Sequence, residues 1–268
     1  MKKSTLSLFA AVLIAAFVSS QTFAAIQSKV IEYKDGDVVL EGYMVWDDEN
    51  HGDNAAKPGV LIVHEWWGHN DYARKRAEQM AKIGYVTFAL DMYGKGVKAD
   101  NAGDAGKLAM PFYQNRALMR SRATAGLNVL KNSKMVDSKR IAAIGYCFGG
   151  TTAIELARSG ADLAGIVSFH GGLDFPDAAD TKQIKGSVLI CTGADDPMVA
   201  VEQVNKFAQQ LKDANIDYQI HSYGGAVHAF TNPAADSHNI PGVKYNEKAD
   251  KRSFTAMKDF FTDILSKK

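Results

Sequence analysis

Apolar residues recur along the chain in patterns that predict both strands and helices. Two runs with alternating apolar positions, at residues 29–33 and 38–46, are separated by Asp35-Gly36. An Asp-Gly pair between alternating runs predicts a β-hairpin. The continuous apolar run that follows, at 59–63, is typical of a strand that is buried on both faces of a sheet.

Downstream of this run, extended and helical patterns alternate. Further strands are predicted at 85–90, 140–146, 164–169, 188–191 and 217–222, and helices at 72–82, 104–132, 148–159, 201–214 and 244–266. Strands joined through helices form a mostly parallel sheet with helices on both faces. We therefore predict a single α/β domain over residues 25–268, with the hairpin as an antiparallel N-terminal edge.

The first 24 residues have a different pattern from the rest of the chain. Lys2 and Lys3 precede an uncharged apolar run at 6–18, and a tail of small and polar residues ends at Ala24. This is the layout of a cleaved signal peptide, with Thr22 and Ala24 suited to the peptidase. The alternative is an anchor that is never removed, but the run is short for a membrane span. We expect residues 1–24 to be a signal peptide and the mature protein to be periplasmic or secreted.

Composition excludes several classes of partner. Hydrophobic residues make up 46% of the chain, and 31 basic residues nearly balance 30 acidic ones. This balance gives no basic surface for nucleic acid or for an anionic membrane. The sequence has neither the Cys/His spacing of a metal site nor a G-x-G-x-x-G motif after a strand. We expect a monomer that binds a small molecule and needs no metal or organic cofactor.

The sequence GYCFGG at 145–150 joins a predicted buried strand directly to a predicted helix. It matches the nucleophile elbow, G-x-S-x-G, with Cys147 in the place of the serine. Glycines flank the nucleophile there because larger side chains would clash in the tight turn. The positive end of the helix dipole also favours a reactive thiolate. The alternative is a buried cysteine in a tight glycine turn.

An acid and a histidine follow the elbow in the order expected for this type of site. Asp196 comes shortly after the strand predicted at 188–191, and its neighbour Asp195 is the alternative, read as a turn or helix-capping residue. His228 lies on a glycine-rich loop after the last predicted strand. This loop can bring the imidazole back over the elbow.

The chain contains six other histidines. His170 is the main rival of His228, because it ends the strand next to the elbow strand and could face the same pocket. His64 is interpreted as a packing or hydrogen-bonding neighbour of the site. The remaining ones lie in polar loops, a turn or a strand pattern: His51, His238, His69 and His221. His228 is favoured as the catalytic histidine, because it follows the nucleophile and the acid in the expected order along the chain.

With these motifs in place, the chain resembles the dienelactone hydrolase family of the α/β-hydrolase superfamily. The resemblance rests on HEWWGHN at 64–70, DMYG at 91–94, GYCFGG at 145–150 and VHAF at 227–230. It implies the α/β-hydrolase fold and a catalytic triad of Cys147, Asp196 and His228. It also implies hydrolysis of small esters or lactones through a thioester acyl-enzyme.

The same resemblance implies further roles near the elbow. Glu65 would hold the thiol in a protonated state and accept its proton when substrate enters. The alternative for Glu65 is a salt bridge to a nearby arginine. The backbone N–H groups of Trp66 and Phe148 would form the oxyanion hole, as the general rule for this fold also suggests.

Four residues are predicted to contact substrate. The resemblance implies two arginines that bind a substrate carboxylate, but Lys95 and Asn232 stand at the matching positions. Lysine lacks the bidentate fork of arginine and asparagine carries no charge, which argues against a carboxylate-bearing dienelactone as the natural substrate. Trp67 and Tyr93 are predicted to line the pocket, unless they simply pack.

Two cysteines in an exported protein could form a disulfide. In the usual strand order of this fold, the strands that carry Cys147 and Cys191 flank a third strand. Two interstrand spacings of about 4.8 Å each exceed the limit of roughly 7 Å between the Cα atoms of bridged cysteines. We predict that both thiols are free and that Cys191 is a small core residue.

Two other functions remain open at this point. One is a non-catalytic α/β-hydrolase scaffold that binds a ligand or partner, because fold alone does not fix function. The other is a carboxylesterase or thioesterase with an unrelated range of substrates.

The signal-peptide pattern predicts the N-terminus of the mature protein. Cleavage after Ala24 should leave a chain that begins at Ala25, because the residues before the cut suit the peptidase. Intact-mass spectrometry of the protein from its native host measures this directly. A full-length chain retained in the cytoplasm would contradict the prediction.

Overall fold

The computed structural model describes residues 26–48 and 56–266, so the predicted signal peptide at 1–24 lies outside the described residues. Eight strands occur within these ranges: β1 (Ile26–Asp35), β2 (Val38–Asp47), β3 (Lys57–Val63), β4 (Val86–Ala89), β5 (Val136–Tyr146), β6 (Gly165–Phe169), β7 (Ser187–Gly193) and β8 (Tyr218–Tyr223). The α-helices are α1 (Asp71–Ala81), α2 (Ala102–Gln114), α3 (Arg116–Lys131), α4 (Phe148–Arg158), α5 (Val201–Asp213) and α6 (Glu247–Leu265). Short 3₁₀ helices lie at Ala178–Gln183 and Ala235–His238.

The strands form one sheet in the order β1-β2-β4-β3-β5-β6-β7-β8. β2 pairs antiparallel with both β1 and β4, and the pairs from β4 to β8 are parallel. The N-terminal hairpin turns at Gly36, whose φ of +58° is readily adopted by glycine. The prediction of a mostly parallel sheet with an antiparallel N-terminal edge is confirmed.

Both faces of the sheet are buried along its central strands, as the continuous apolar run of β3 predicts. Successive side chains on a strand point to opposite faces. Val60 and Ile62 accordingly pack with residues of α1 and α6, whereas Leu61 and Val63 pack with residues of α3, α4 and α5. Helices therefore cover the sheet on both sides.

The sequence predicted one continuous helical region over 104–132. The structure has two helices there, α2 and α3, so the prediction of continuity was wrong. Asn115 separates α2 from α3 and adopts extended backbone geometry, with φ −129° and ψ 91°. Its N–H donates to Pro111 O at 3.0 Å, while its side-chain oxygen accepts the N–H of Leu118 at 3.0 Å. Asparagine side chains compete with helical hydrogen bonds in this way and favour helix ends.

The functional segments lie beyond the carboxyl ends of the strands. Parallel strands end at the same edge of the sheet, where ligands of open α/β sheets bind. The segments after β3, β5, β7 and β8 carry Glu65, Cys147, Asp196 and His228 respectively. Within the described residues, no helix combines the length and apolar character that crossing a membrane requires.

Candidate active site

The elbow holds Cys147 in a conformation that is unfavourable for a side chain. Cys147 connects β5 to α4 with φ 53° and ψ −116°. A Cβ on Gly145 would lie 1.9 Å from Gly149 O, and one on Gly149 would lie 2.2 Å from Val63 O. Real atoms do not approach so closely, so these two positions require glycine. The physical reason for the elbow motif is therefore visible in its contacts.

Asp196, His228 and Cys147 form a continuous chain of contacts. Asp196 Oδ2 lies 2.9 Å from His228 Nδ1, and His228 Nε2 lies 3.1 Å from Cys147 Sγ. The other carboxylate oxygen of Asp196 accepts the N–H of Met198 at 2.8 Å, which fixes the carboxylate. Asp196 is buried, whereas the alternative acid, Asp195, is exposed.

The surroundings of His228 favour its positively charged form. Burial by itself would lower the pKa of His228, but its interactions with Cys147 and Asp196 outweigh burial and raise the pKa to about 10. An opposite charge close to a titrating group favours the charged form. The contact between His228 and Cys147 is thus suited to an imidazolium–thiolate ion pair.

His64 and His170 lie beside the site in different ways. His64 Nε2 accepts the N–H of Met92 at 3.1 Å, and its Nδ1 lies 2.5 Å from Glu65 O. This agrees with the interpretation of His64 as a hydrogen-bonding neighbour. His170, the rival of His228, lies behind the elbow and accepts the N–H of Cys147.

Glu65 is a buried carboxyl group with one partner. Its side chain is 2% exposed, and Oε2 accepts the Nδ2–H of Asn232 at 2.6 Å. Its other oxygen, Oε1, has no hydrogen-bond partner among the described residues. Burial raises the pKa of Glu65 to about 7, and the hydrogen bond from Asn232 offsets only part of this effect. Within the described residues no arginine forms a salt bridge with Glu65, so the structure does not support that alternative.

A cavity of about 260 Å³ opens above the thiol. Its lining is mainly apolar and includes no lysine or arginine from the described chain: Glu65, Trp66, Trp67, Tyr113, Cys147, Gly172, Met198, Val199, His228, Ala229, Asn232, Ala235, His238, Ile240 and Val243. Within the described ranges, His, Cys, Asp and Glu side chains form no cluster of three that could hold a metal ion. The cavity is therefore suited to an uncharged organic molecule.

Of the four residues predicted to bind substrate, Trp67 and Asn232 line this cavity and the other two do not. Tyr93 lies beneath it and donates its hydroxyl to Trp66 O at 2.9 Å. Lys95 is 48% exposed and pairs with Glu32 on the surface of the N-terminal hairpin. Lys95 lies away from the cavity because its backbone N–H is bound to Val39 O at 2.9 Å on β2.

Several cavity residues carried no recognisable signal in the sequence. They come from α2, from the loop after β7 and from the segment before α6: Tyr113, Met198, Val199, Ala235, His238, Ile240 and Val243. Among them, His238 stacks on Trp67 with ring centroids 4.0 Å apart and an interplanar angle of 17°. This pair also borders a second, polar cleft of about 460 Å³.

The two N–H groups that the resemblance assigns to an oxyanion hole have no backbone acceptor among the described residues. The N–H of Phe148 is the first of helix α4 and therefore has no intrahelical acceptor. The N–H of Trp66 makes no backbone hydrogen bond with any described residue. Both groups are available to an oxygen atom of a bound substrate, as expected for an oxyanion hole.

The second cysteine lies too deep to take part in the chemistry. β6 separates the strands of Cys147 and Cys191, and both thiols are free. This confirms the prediction drawn from strand spacing. Burial raises the pKa of Cys191 to about 12, so Cys191 is an unreactive core residue.

Known proteins resemble this chain in structure or in sequence. The crystal structure of a dienelactone hydrolase-like promiscuous phosphotriesterase from metagenomic libraries is 40% identical, with a TM-score of 0.86 over 90% of this chain and 100% of its own. A putative carboxymethylenebutenolidase of Aquifex aeolicus is 28% identical over 76% of this chain and 87% of its own. A putative dienelactone hydrolase of Klebsiella pneumoniae, 19% identical, shares the fold with a TM-score of 0.74 over 89% of this chain and 99% of its own.

The sheet topology, the elbow and the two later motifs define an α/β-hydrolase. The chain belongs to the dienelactone hydrolase family, whose profile matches residues 41–265. It is therefore an enzyme that hydrolyses ester or lactone bonds. This confirms the resemblance found in the sequence and disfavours a non-catalytic scaffold.

Burial of Glu65 predicts a stability change that depends on pH. Folding raises the pKa of Glu65 from 4.5 to about 7, so the folded protein keeps a proton that the unfolded chain loses. Stability should therefore fall as pH rises through this window, by on the order of 3 kcal/mol above pH 7. Glu65→Gln should raise the free energy of unfolding at pH 8 and leave it nearly unchanged at pH 4.

Urea unfolding at both pH values measures this effect. The exposed Asp259→Asn exchange in the middle of α6 is the control and should change stability little at either pH. An equal change for Glu65→Gln at the two pH values would show that the carboxyl group is not destabilised by burial.

Proposed function

We propose that this enzyme cleaves neutral small esters or lactones through a thioester on Cys147, with His228 as proton carrier and Asp196 as its orienting group. The observation that carries the proposal is the unbroken chain of contacts from Asp196 through His228 to the thiol. This chain ends at the floor of a mainly apolar cavity without a lysine or arginine in its described lining.

The first half of the reaction forms the acyl-enzyme. The Cys147 thiolate attacks the carbonyl carbon, and the carbonyl oxygen becomes an oxyanion held by the N–H groups of Trp66 and Phe148. The carbon–oxygen bond to the leaving group then breaks, and His228 gives its proton to the departing oxygen. A thioester on Cys147 and a free hydroxyl remain.

The second half releases the acid. Neutral His228 takes a proton from a water molecule, and the resulting hydroxide attacks the thioester carbonyl in the same oxyanion hole. Collapse of the tetrahedral intermediate breaks the carbon–sulfur bond and restores the thiolate beside protonated His228. Asp196 stabilises the imidazolium in both halves through its hydrogen bond to Nδ1.

Glu65 is proposed to exchange a proton with the thiol in the resting enzyme. A carboxyl group with a pKa of about 7 is present in both protonation states near neutral pH. Glu65 is part of the lining of the cavity above the thiol, and its buried Oε1 has no hydrogen-bond partner among the described residues. A protonated thiol would protect Cys147 from oxidation, to which exported thiols are exposed.

The cavity favours uncharged substrates. A carboxylate that enters without a charged or bidentate partner loses hydration that nothing replaces. The amide of Asn232 is already engaged with Glu65, and a carboxylate beside Glu65 would meet a second acidic group. Neutral esters and lactones avoid both penalties.

Neutral phosphotriesters form a second candidate class. The relative at 40% identity is a dienelactone hydrolase-like promiscuous phosphotriesterase. Such substrates meet the same requirement for an uncharged molecule in an apolar cavity. Thioesters belong in the same assay panel, because the acyl-enzyme is itself a thioester.

We also propose that the enzyme works in the periplasm or outside the cell. The basis is the signal-peptide pattern at residues 1–24, from which a single mature domain at 25–268 would be released.

Removal of the thiol should abolish hydrolysis. Cys147→Ala should reduce kcat by at least about 10³-fold on every ester or lactone that the parent cleaves, because no nucleophile remains. Cys191→Ala is the matched control, since it removes the other cysteine and should retain turnover. Iodoacetamide should inactivate the Cys191→Ala protein and leave a mass adduct on Cys147. Full activity of Cys147→Ala on all these substrates would exclude Cys147 as the nucleophile.

Substrate charge should decide the rate. A neutral lactone should give a kcat/KM at least about tenfold higher than dienelactone, a difference of about 1.4 kcal/mol. Lys95→Ala should leave this ratio unchanged, because Lys95 pairs with Glu32 outside the cavity. A tenfold preference for the carboxylate substrate would mean that another cation, Arg74 or Arg116, reaches the bound molecule.

A further inference from the structure

His170 is a buried histidine that lies beside the nucleophile. The proposed mechanism gives it no role. It follows β6, is 0% exposed and adopts a φ of 43°, which is unusual for a residue other than glycine. It is absent from the cavity lining, so it does not contact the substrate. A buried polar ring in a strained conformation at the elbow requires a physical explanation.

Hydrogen bonds fix the tautomer of His170. Its Nδ1 accepts the backbone N–H of Cys147 at 3.1 Å, and the same N–H also bonds Phe169 O at 3.0 Å. Because Nδ1 accepts, the proton of the neutral ring is on Nε2. Nε2 then donates to Thr231 Oγ1 at 2.8 Å.

A network of polar groups supports this arrangement from behind. Thr231 Oγ1 lies 2.7 Å from the hydroxyl of Tyr72, which accepts the Nε–H of Arg76 at 3.2 Å. Arg76 also donates to Thr231 O and to Asp250 Oδ1, each at 2.6 Å. The imidazole of His170 is therefore held on one side by the elbow and on the other by Thr231, which helix α1 supports.

His170 must stay neutral to accept the N–H of Cys147. Burial, assisted by the charges of His228 and Arg76, holds the pKa of His170 well below its usual value. The rings of His228 and Tyr146 face it at centroid distances of 5.3 Å and 6.2 Å. The site thus combines a neutral histidine with a neighbouring histidine that favours its charged form.

We propose that His170 is a positioning residue that orients the Cys147 thiol toward His228 and the substrate carbonyl by accepting the Cys147 backbone N–H. The inference rests on the proposed function, in which Cys147 is the nucleophile. The elbow backbone at φ 53° is unfavourable for a cysteine, so its orientation depends on contacts that hold this peptide. Misplacement of a reacting group by about 1 Å can lower a rate by roughly 10²-fold.

Two variants at this position distinguish the role of Nδ1 as acceptor from the role of Nε2 as donor. In His170→Asn the amide oxygen occupies the place of Nδ1 and can accept the same N–H, and asparagine tolerates positive φ. In His170→Gln the amide reaches the place of Nε2 and leaves Cys147 without this acceptor. His221→Gln on β8 is the matched control for the exchange itself, and Thr231→Val removes the partner of Nε2.

Three measurements on the full-length variants test the inference. They are kcat and KM on the preferred ester, the rate of Cys147 alkylation by iodoacetamide between about pH 5 and 9, and the thermal unfolding temperature. We expect His170→Gln to lower kcat by at least about tenfold with little change in KM. Its alkylation profile should move to higher pH, because the thiolate loses its alignment with His228. His170→Asn should stay within about threefold of the parent in kcat.

The asparagine variant decides the question even where the glutamine variant does not fold. Folded His170→Asn protein with kcat reduced by more than about tenfold would overturn the inference, as would folded His170→Gln protein with parental kcat and alkylation profile. An active Cys147→Ala variant would instead overturn the proposed function. An inactive Cys147→Ala variant beside a fully active His170→Gln variant would overturn this inference alone.

Discussion

The site depends on one strained turn in which a cysteine occupies backbone geometry that is unfavourable for side chains. The turn persists because α4 lies so close to β5 and to the end of β3 that only glycine fits at 145 and 149. Packing of both faces of the sheet fixes these two elements and thereby the turn. Core packing is therefore the source of the free energy that keeps the thiol at the helix N-terminus, where a thiolate is stabilised.

Burial contributes to the pKa of three neighbouring groups, but the net shift differs from group to group. The interactions of His228 with Cys147 and Asp196 outweigh its loss of hydration, whereas His170 has no acidic partner among the described residues and stays neutral. Glu65 has one neutral partner, Asn232, and its carboxyl group titrates near neutrality. The partners that the fold provides, rather than the residue types, thus determine the charge of each group.

The sequence was informative where chemistry follows from local motifs. Strand periodicity predicted the sheet and the glycines around Cys147 predicted the elbow, because each of these patterns is visible within a short segment of sequence. The split at Asn115 follows from local hydrogen bonds of this residue, which the apolar periodicity does not show. The surface position of Lys95 depends on its contacts with the distant strands β1 and β2. His170 was recognised as a rival, but its acceptor role depends on a hydrogen bond between two strands' ends that only the structure provides.

The stacked rings of Trp67 and His238 separate the cavity above the thiol from the neighbouring polar cleft. Asn232 also lines both spaces, so the boundary consists of three side chains rather than of backbone. His238 is the one of the three that is partly exposed, because Trp67 and Asn232 are buried. An acyl chain long enough to displace His238 would break its aromatic contact with Trp67. Such a contact is worth about 0.5–1.5 kcal/mol, or roughly a twofold to tenfold change in rate. The rate should accordingly fall gradually, and not abruptly, as the acyl chain lengthens. The polar end of an extended substrate would then lie in the polar cleft.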